Sequence, residues 1–225
     1  MTGIFDSGKG GLAALNELRR LCPSENIIFL ADRENAPYGP KSVKQIESIV
    51  KANIKRLICL GADKVLMACC TASTVFDSLP TELKDKCIEI ISPSAAEAAK
   101  RSLGTVGVIS TEATYKSLAF PRAITAFNPK LTVVSAYSAE MVELVECGCR
   151  DGEVGATEEK IIKNALAPIM DSRADVLILG CTHFTHLKKK IEEIAGIPTV
   201  SPALVGAELA ATKICGKEEG KTVFI

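Results

Sequence analysis

The sequence predicts an α/β fold in which two similar parallel-sheet α/β domains face each other across a central cleft. Short apolar runs alternate with stretches of helical periodicity along the whole chain, an alternation typical of parallel sheets covered by helices. The chain also repeats itself weakly, because the strand and helix pattern that opens at Gly3 recurs from Gly107. At 225 residues the chain is long enough for two small domains.

The strands are the apolar runs. In chain order, they are predicted at Gly3–Phe5, Ile27–Ala31, Lys64–Ala68, Cys87–Ile91, Val106–Ile109, Leu131–Ser135, Val176–Leu179 and Thr199–Val200. The first helix is predicted at Leu12–Cys22, where leucines recur every third residue. A second helix is predicted at Val43–Leu60, and Gly61 fits its end.

The domain boundaries follow from the repeat. We expect a first domain of residues 1–92 plus 203–225 and a second domain of residues 93–202. The best candidates for the two crossings are Ser92-Pro93-Ser94 and Ser201-Pro202.

Composition excludes several functional classes. The 27 basic and 27 acidic residues balance, which argues against a nucleic-acid partner. No apolar run approaches the roughly 18 residues that would span a membrane, and the first residues lack the features of a secretion signal. We therefore expect a cytoplasmic protein with no membrane partner. Most of the nine cysteines should be free thiols there, and none has the spacing of a metal site.

Polar clusters follow four of the predicted strands. They are Asp6-Ser7, Cys69-Cys70-Thr71, Thr111 with Thr114, and Cys181-Thr182-His183. In open α/β sheets, ligands bind beyond the carboxyl ends of the strands, so these residues are expected around the cleft.

The glycine-rich segment Asp6–Gly11 joins the first strand to the first helix. Free amides at a helix start attract anions, and glycines let the backbone approach a ligand. A nucleotide loop is one alternative, although the spacing matches neither Gly-x-Gly-x-x-Gly nor a Walker arrangement. A tight turn capped by Asp6 is the other alternative.

Two cysteines at matching strand ends suggest a two-base reaction. Racemisation at an α-carbon needs a base on one face and an acid on the other, and a thiolate and a thiol can fill these roles. His183 could polarise Cys181 or shuttle its proton, and Asp6 could assist the first cysteine. A cysteine-protease dyad, in which His183 or His186 activates a thiol, is the mechanistic alternative; by default His186 is a solvated or capping residue.

Over nearly its whole length the chain resembles the glutamate racemases of the aspartate/glutamate racemase family. The matching segments, in order, are Phe5–Leu12, Asn26–Asp32, Ala36–Gly39, Ala68–Ser73, Ser110–Thr114, Leu144–Glu146 and Leu179–His183. The resemblance implies a cofactor-independent enzyme that acts on a small acidic amino acid, with no metal, and a possible homodimer. It further implies that D-glutamate is supplied for peptidoglycan synthesis.

The resemblance also implies residue roles. The residues implied as catalytic are Cys69, Cys181, Asp6, His183 and Glu146. The residues implied as substrate-binding are Asp6, Ser7, Pro37, Tyr38, Gly39, Cys70, Thr71, Thr114, Thr182 and His183. Within the chain's own repeat, Cys70 aligns with Cys181, whereas the family motif aligns Cys69; we adopt the motif.

This chain departs from the family pattern at several places. Cys70 stands where the family usually has asparagine, and Glu140 and Glu143 stand where apolar residues and proline are usual. A thiol is a weak hydrogen-bond partner, so substrate binding can differ. Two other hypotheses therefore stand beside glutamate racemisation: a paralogue that acts on aspartate or another acidic compound, and a ligand-binding homologue without turnover.

Overall fold

The computed structural model describes residues 1–214 and 220–225, and within them two parallel sheets carry the fold. The strands are β1 Thr2–Asp6, β2 Ile27–Ala31, β3 Lys64–Met67, β4 Cys87–Ile88, β5 Thr105–Ser110, β6 Thr132–Tyr137, β7 Val176–Gly180, β8 Thr199–Val200 and β9 Thr222–Phe224. The α-helices are α1 Leu12–Leu21, α2 Val43–Cys59, α3 Cys70–Ser73, α4 Thr81–Lys84, α5 Ile91–Arg101, α6 Glu112–Ser117, α7 Ala119–Phe127, α8 Ala139–Glu146, α9 Ala156–Asp171, α10 Lys188–Ala195 and α11 Pro202–Ile214. Two 3₁₀ helices lie at Phe76–Ser78 and Thr182–Leu187.

The two sheets have matching strand orders. The first runs β4-β3-β1-β2-β9 and the second runs β8-β7-β5-β6, and every pairing is parallel. Thus β5 occupies in the second sheet the place of β1 in the first, and β7 the place of β3. The predicted α/β class with two parallel sheets is confirmed, and the weak internal repeat is visible as this shared strand order.

The apolar core has three parts. A central cluster joins the inner faces of both sheets through α1, α5, α7 and α11, and includes Ile4 and Leu66 from the first sheet with Val108 and Ile178 from the second. Two outer clusters cover the remaining faces, one beneath α2 and the other beneath α8 and α9. Because each sheet is covered on both faces, its central strands are continuously apolar, as the sequence suggested.

The predicted crossing at Ser92-Pro93-Ser94 lies in the first turn of α5 rather than in an irregular linker. Glu89 accepts hydrogen bonds from the amides of Ile91 and Ser92, which satisfies the helix start and shortens the strand expected at Cys87–Ile91 to β4. Proline is tolerated in a first helical turn. The boundary at residues 92/93 falls inside α5, and the division into two domains stays a prediction.

Seven of the described cysteines are free thiols, as expected, whereas Cys22 is disulfide-bonded. Cys215 lies outside the described residues. In the described ranges, no helix combines the length and apolar character needed to cross a bilayer.

Candidate active site

A cleft of about 550 Å³ lies at the carboxyl ends of the two sheets and receives residues from both. It is bordered by the loops that follow β1, β2 and β5, by the ends of β3 and β7, and by α8. The sequence-predicted residues that line it are Ser7, Pro37, Tyr38, Gly39, Cys69, Cys70, Thr71, Glu146, Cys181, Thr182 and His183. Asp6 and Thr114 do not line the cleft; both are buried directly behind its wall.

Cys69 and Cys181 occupy equivalent positions. Each immediately precedes the short helix that follows its strand, Cys69 two residues after the end of β3 and Cys181 one residue after the end of β7. The backbone angles are nearly the same: φ −131°, ψ 120° at Cys69 and φ −140°, ψ 132° at Cys181. The repeat alignment of Cys70 with Cys181 is therefore wrong by one residue. That alignment matched the two Cys-Thr dipeptides, whereas in the structure Cys69 and Cys181 are the residues that lie at equivalent positions before the two short helices. Cys70 packs into the central core, with only its edge at the cleft wall.

The Cys181 side carries a chain of three contacts. The Cys181 Sγ lies 3.5 Å from His183 Nδ1, and His183 Nε2 lies 2.5 Å from Glu146 Oε1. Burial opposes charging of His183, but the Cys181 sulfur, the Glu146 carboxylate and Asp6 outweigh it and raise the pKa of His183 to about 11. The hydrogen bond from His183, above all, lowers the pKa of Glu146 to about 2. His183 is thus held as an imidazolium within reach of the sulfur.

This charge state predicts a pH-dependent contribution to stability. The pKa of His183 is higher in the folded protein, at about 11, than its ordinary value of 6.5. Its contribution is therefore full below pH 6.5 and is lost as the pH rises toward 11. We expect the free energy of unfolding of the wild type, relative to His183→Asn, to shrink over that interval. Urea denaturation of both proteins at about pH 6 and about pH 10 measures this; a difference that stays constant contradicts it.

The Cys69 side is built differently. Cys69 Sγ donates to Ser7 Oγ at 3.8 Å, and burial, followed by the charge of Asp6, raises the pKa of the Cys69 thiol to about 12. Asp6 is fully buried and accepts hydrogen bonds from the Gly8 amide and from Thr182 Oγ1, each at 2.8 Å. Burial raises the pKa of Asp6 as well. Since Thr182 follows β7 of the second sheet, this bond ties the two halves together beneath the cleft.

The backbone amides of the glycine-rich loop donate hydrogen bonds to carboxylates of the protein itself. The Gly8 amide donates to Asp6, and the Lys9 amide donates to Glu146 Oε1 at 3.1 Å. The tight turn with Asp6 therefore describes this loop better than a nucleotide-binding loop. A Cβ at Gly10 would stand 2.7 Å from His183 Nδ1, so glycine there permits close approach of the two halves.

Three threonine hydroxyls meet at another wall of the cleft. Thr71 Oγ1 lies 2.9 Å from Thr111 Oγ1 and 3.1 Å from Thr114 Oγ1. Thr71 follows β3 and the other two follow β5, so the cluster also bridges the sheets. Thr71 and Thr111 reach the cleft and offer hydroxyls to a ligand, while Thr114 supports them from behind.

A buried network fixes the loop that carries Pro37, Tyr38 and Gly39. The Tyr38 hydroxyl donates to Asp32 Oδ2 at 2.5 Å, and Asn53 Nδ2 donates to the same oxygen at 2.8 Å. The Ala36-Pro37 peptide bond is cis. Burial, with Asp32, raises the pKa of Tyr38 well above its usual range. No role was assigned to Asp32 or Asn53 from the sequence. The one signal that could have pointed to this network is that Asn53 carries an amide on the otherwise apolar, buried face of α2.

Loss of this network should destabilise the fold. In Tyr38→Phe, Asp32 loses its short hydroxyl donor while staying buried, and we expect the free energy of unfolding to fall by about 1–3 kcal/mol. The exposed Tyr115 provides the matched control, because Tyr115→Phe removes a hydroxyl from the surface. Urea denaturation compares them, and equal stabilities would show that the Tyr38 hydroxyl contributes nothing.

Some cleft residues were given no role from the sequence. These are Ala36, Pro40, Glu112, Ser138, Ala139, Val142 and Glu143. Most come from α8 or its cap, whose placement over the cleft depends on packing against α9 and the 3₁₀ helix Thr182–Leu187. His186 is half-buried, and its Nε2 lies 3.4 Å from the Lys9 carbonyl oxygen. It thus contacts the backbone of the loop that follows β1.

Comparison with known proteins gives a consistent result. The profile of the family described as Asp/Glu/hydantoin racemase matches residues 12–210. A glutamate racemase of Desulforudis audaxviator is 38% identical over 205 residues, which cover 89% of this chain and 74% of that protein. A glutamate racemase of Gloeobacter violaceus is 37% identical, over 93% of this chain and 79% of that protein.

Solved structures agree with the sequence comparison. A glutamate racemase of Bacillus anthracis superposes with a TM-score of 0.90 at 30% identity, covering 100% of this chain and 87% of that one. A glutamate racemase of Francisella tularensis, solved in complex with D-glutamate, also gives 0.90, at 29% identity and over 99% of this chain and 86% of that one.

Proposed function

This chain belongs to the Asp/Glu/hydantoin racemase family and is therefore an isomerase, and we propose that it interconverts L- and D-glutamate by means of the paired thiols of Cys69 and Cys181. The family resemblance noted in the sequence is thereby confirmed. The observation that carries the proposal is that both thiols, supplied by equivalent strand ends of two sheets, line one cleft.

The reaction requires a proton to leave one face of the α-carbon and another to arrive at the opposite face. A thiolate on one side accepts the α-proton, and the electron pair left on carbon is delocalised into the adjacent carboxylate. The opposite thiol then donates its proton to carbon and becomes the thiolate. After one turnover the two cysteines have exchanged protonation states, so no other reactant is consumed.

The two sides start from different states. The pKa of Cys69, at about 12, favours the thiol, the form that donates a proton to carbon. The substrate's ammonium group would offset the charge of Asp6 and help Cys69 when it must serve as the base. On the other side, the His183 imidazolium can give a proton to a Cys181 thiolate, and the neutral imidazole that remains can take that proton back. Glu146 keeps the ring oriented in both states.

The cleft suits an acidic substrate through neutral donors. Ser7 and Thr71 offer hydroxyl groups, which can donate to carboxylate oxygens. Within the described residues the lining contains neither lysine nor arginine, so a substrate carboxylate would be held by hydroxyls and backbone amides. The relatives' substrate supports the choice of glutamate, because the Francisella protein was solved with D-glutamate bound.

Exchange of the α-hydrogen tests the proposal. We expect the reduced protein in deuterated water to replace the α-proton of L- or D-glutamate with deuterium. Proton NMR measures this replacement, and circular dichroism records the loss of optical activity. Aspartate, measured in parallel, distinguishes a glutamate racemase from a paralogue that acts on aspartate. Folded protein that exchanges neither amino acid would eliminate this function.

Three finer expectations belong to the same proposal. D-glutamate formed in this way would serve peptidoglycan synthesis, in the cytoplasm, and the chain would act as a homodimer. The family resemblance supports all three, and each stays a prediction.

A further inference from the structure

Lys9 connects the two halves of the molecule at the site. Its Nζ donates to the main-chain oxygen of Glu146 at 2.7 Å, and its amide donates to Glu146 Oε1 at 3.1 Å. Lys9 belongs to the loop after β1, in the first half, whereas Glu146 is the last residue of α8, in the second. One residue thus holds both the backbone and the carboxylate of Glu146.

The position of the ammonium group suits the end of a helix. The last carbonyl groups of a helix have no partner within it and carry partial negative charge. The last turn of α8 contains no basic residue of its own. Lys9 supplies a cation from across the molecule, and Arg150 Nη1 binds the neighbouring Val145 carbonyl at 2.9 Å. The end of α8 is therefore fixed by two cations.

The position of this helix end determines the geometry of the contact chain on the Cys181 side. Glu146 Oε1 is shared between the Lys9 amide and His183 Nε2, and His183 Nδ1 in turn faces Cys181. A shift of the end of α8 would lengthen the 2.5 Å bond to His183 and free the ring to rotate. On the Cys69 side, the thiol instead contacts Ser7 and is influenced through charge by Asp6.

We propose that Lys9 is a positioning residue that holds Glu146, and through it His183, in register with Cys181, and so supports proton exchange on that side of the substrate. This inference rests on the proposed racemisation. Lys9 does not touch the reacting carbon and lies outside the lining of the cleft.

The charge of Lys9 can be removed while its aliphatic stem is kept. We expect Lys9→Met to lower kcat/KM by about 10- to 100-fold, since small misplacements of catalytic groups have effects of that order. Lys9→Arg keeps a cationic donor and should recover most of the activity. Lys100→Met, at an exposed lysine in the last turn of α5, is the matched control and should behave as the wild type.

The kinetic pattern separates positioning from a general structural effect. Enantiomers have equal free energies, so any loss of kcat/KM is the same in both directions. The primary isotope effect on the α-hydrogen, however, should rise more in the direction in which Cys181 is the base. An equal rise in both directions, or a loss that Lys9→Arg does not recover, would overturn the proposal. Lys9→Met activity within about twofold of Lys100→Met would also overturn it.

A second readout does not depend on activity. The chain contains two histidines, so ¹⁵N imidazole spectra are simple, and His186→Gln assigns the signals. The charged and titratable groups around His183 are Cys181, Glu146 and Asp6, with His186 and Lys9 beyond them. We expect the pKa of His183 to move from about 11 toward its ordinary value of 6.5 in Lys9→Met, and to stay in place in Lys100→Met. An unchanged value in Lys9→Met overturns the positioning role; wild-type protein inactive on glutamate overturns only the proposed function.

Discussion

Replacement of either Cys69 or Cys181 by serine is expected to lower glutamate racemisation by about 10²- to 10⁴-fold in both directions, the usual contribution of a general acid or base. A serine hydroxyl ionises far less readily than a thiol. With one thiol left, a proton can be removed from one face of the substrate, but no group on the opposite face can exchange a proton with carbon. Racemisation therefore stops whichever cysteine is changed.

Two further cysteines provide the controls. Cys59 is exposed on α2, away from the cleft lining, and Cys59→Ser should leave the rate unchanged. Cys70 is adjacent to Cys69 in sequence, but its side chain packs in the central core, so Cys70→Ser should lower stability more than turnover. Rates from circular dichroism and unfolding curves in urea separate these effects. A Cys70→Ser variant that loses all turnover while Cys69→Ser keeps it would reassign the acid–base role to Cys70.

Substitution of Gly10 by alanine is expected to have the second largest effect. The added Cβ would stand 2.7 Å from His183 Nδ1 and 2.8 Å from the His183 backbone nitrogen, and it would also overlap the Thr182 hydroxyl. Backbone cannot move aside as a flexible side chain can, so the segment after β7 must shift and carry Cys181 with it. We expect about a 10²-fold loss of kcat/KM and a loss of about 1–3 kcal/mol in unfolding free energy.

The matched control is Gly104→Ala, because no atom lies within 4 Å of a Cβ at that position. It carries the same chemical change at a site with room for it, and should retain both activity and stability. If Gly10→Ala retains full activity and stability, the two halves do not approach at Gly10 as closely as the structure indicates.

Local patterns were sufficient for most of the sheet. Ile27–Ala31 and Thr199–Val200 were predicted with the bounds they have. The first is an apolar run between Asn26 and Asp32. β9 was not predicted, because Thr222–Phe224 is a three-residue edge strand whose identity depends on its pairing with β2. The start of α5 at Ile91 was missed, because the contribution of Glu89 to the helix start depends on where its carboxylate points.

The site shows a similar division. Cys69, Cys181 and His183 could be placed at strand ends from the sequence, because the edge of a parallel sheet collects such residues. The supporting contacts could not be placed. The bonds from Thr182 to Asp6 and from Asn53 to Asp32 join segments whose distance depends on how helices pack, and no local pattern encodes that.

The matching backbone at Cys69 and Cys181 separates the position of each sulfur from its surroundings. Each strand end fixes where its sulfur lies, so the neighbours on either flank of the cleft can differ while the two sulfurs keep equivalent positions. One flank has a serine above a buried aspartate, and the other has a histidine that contacts a glutamate.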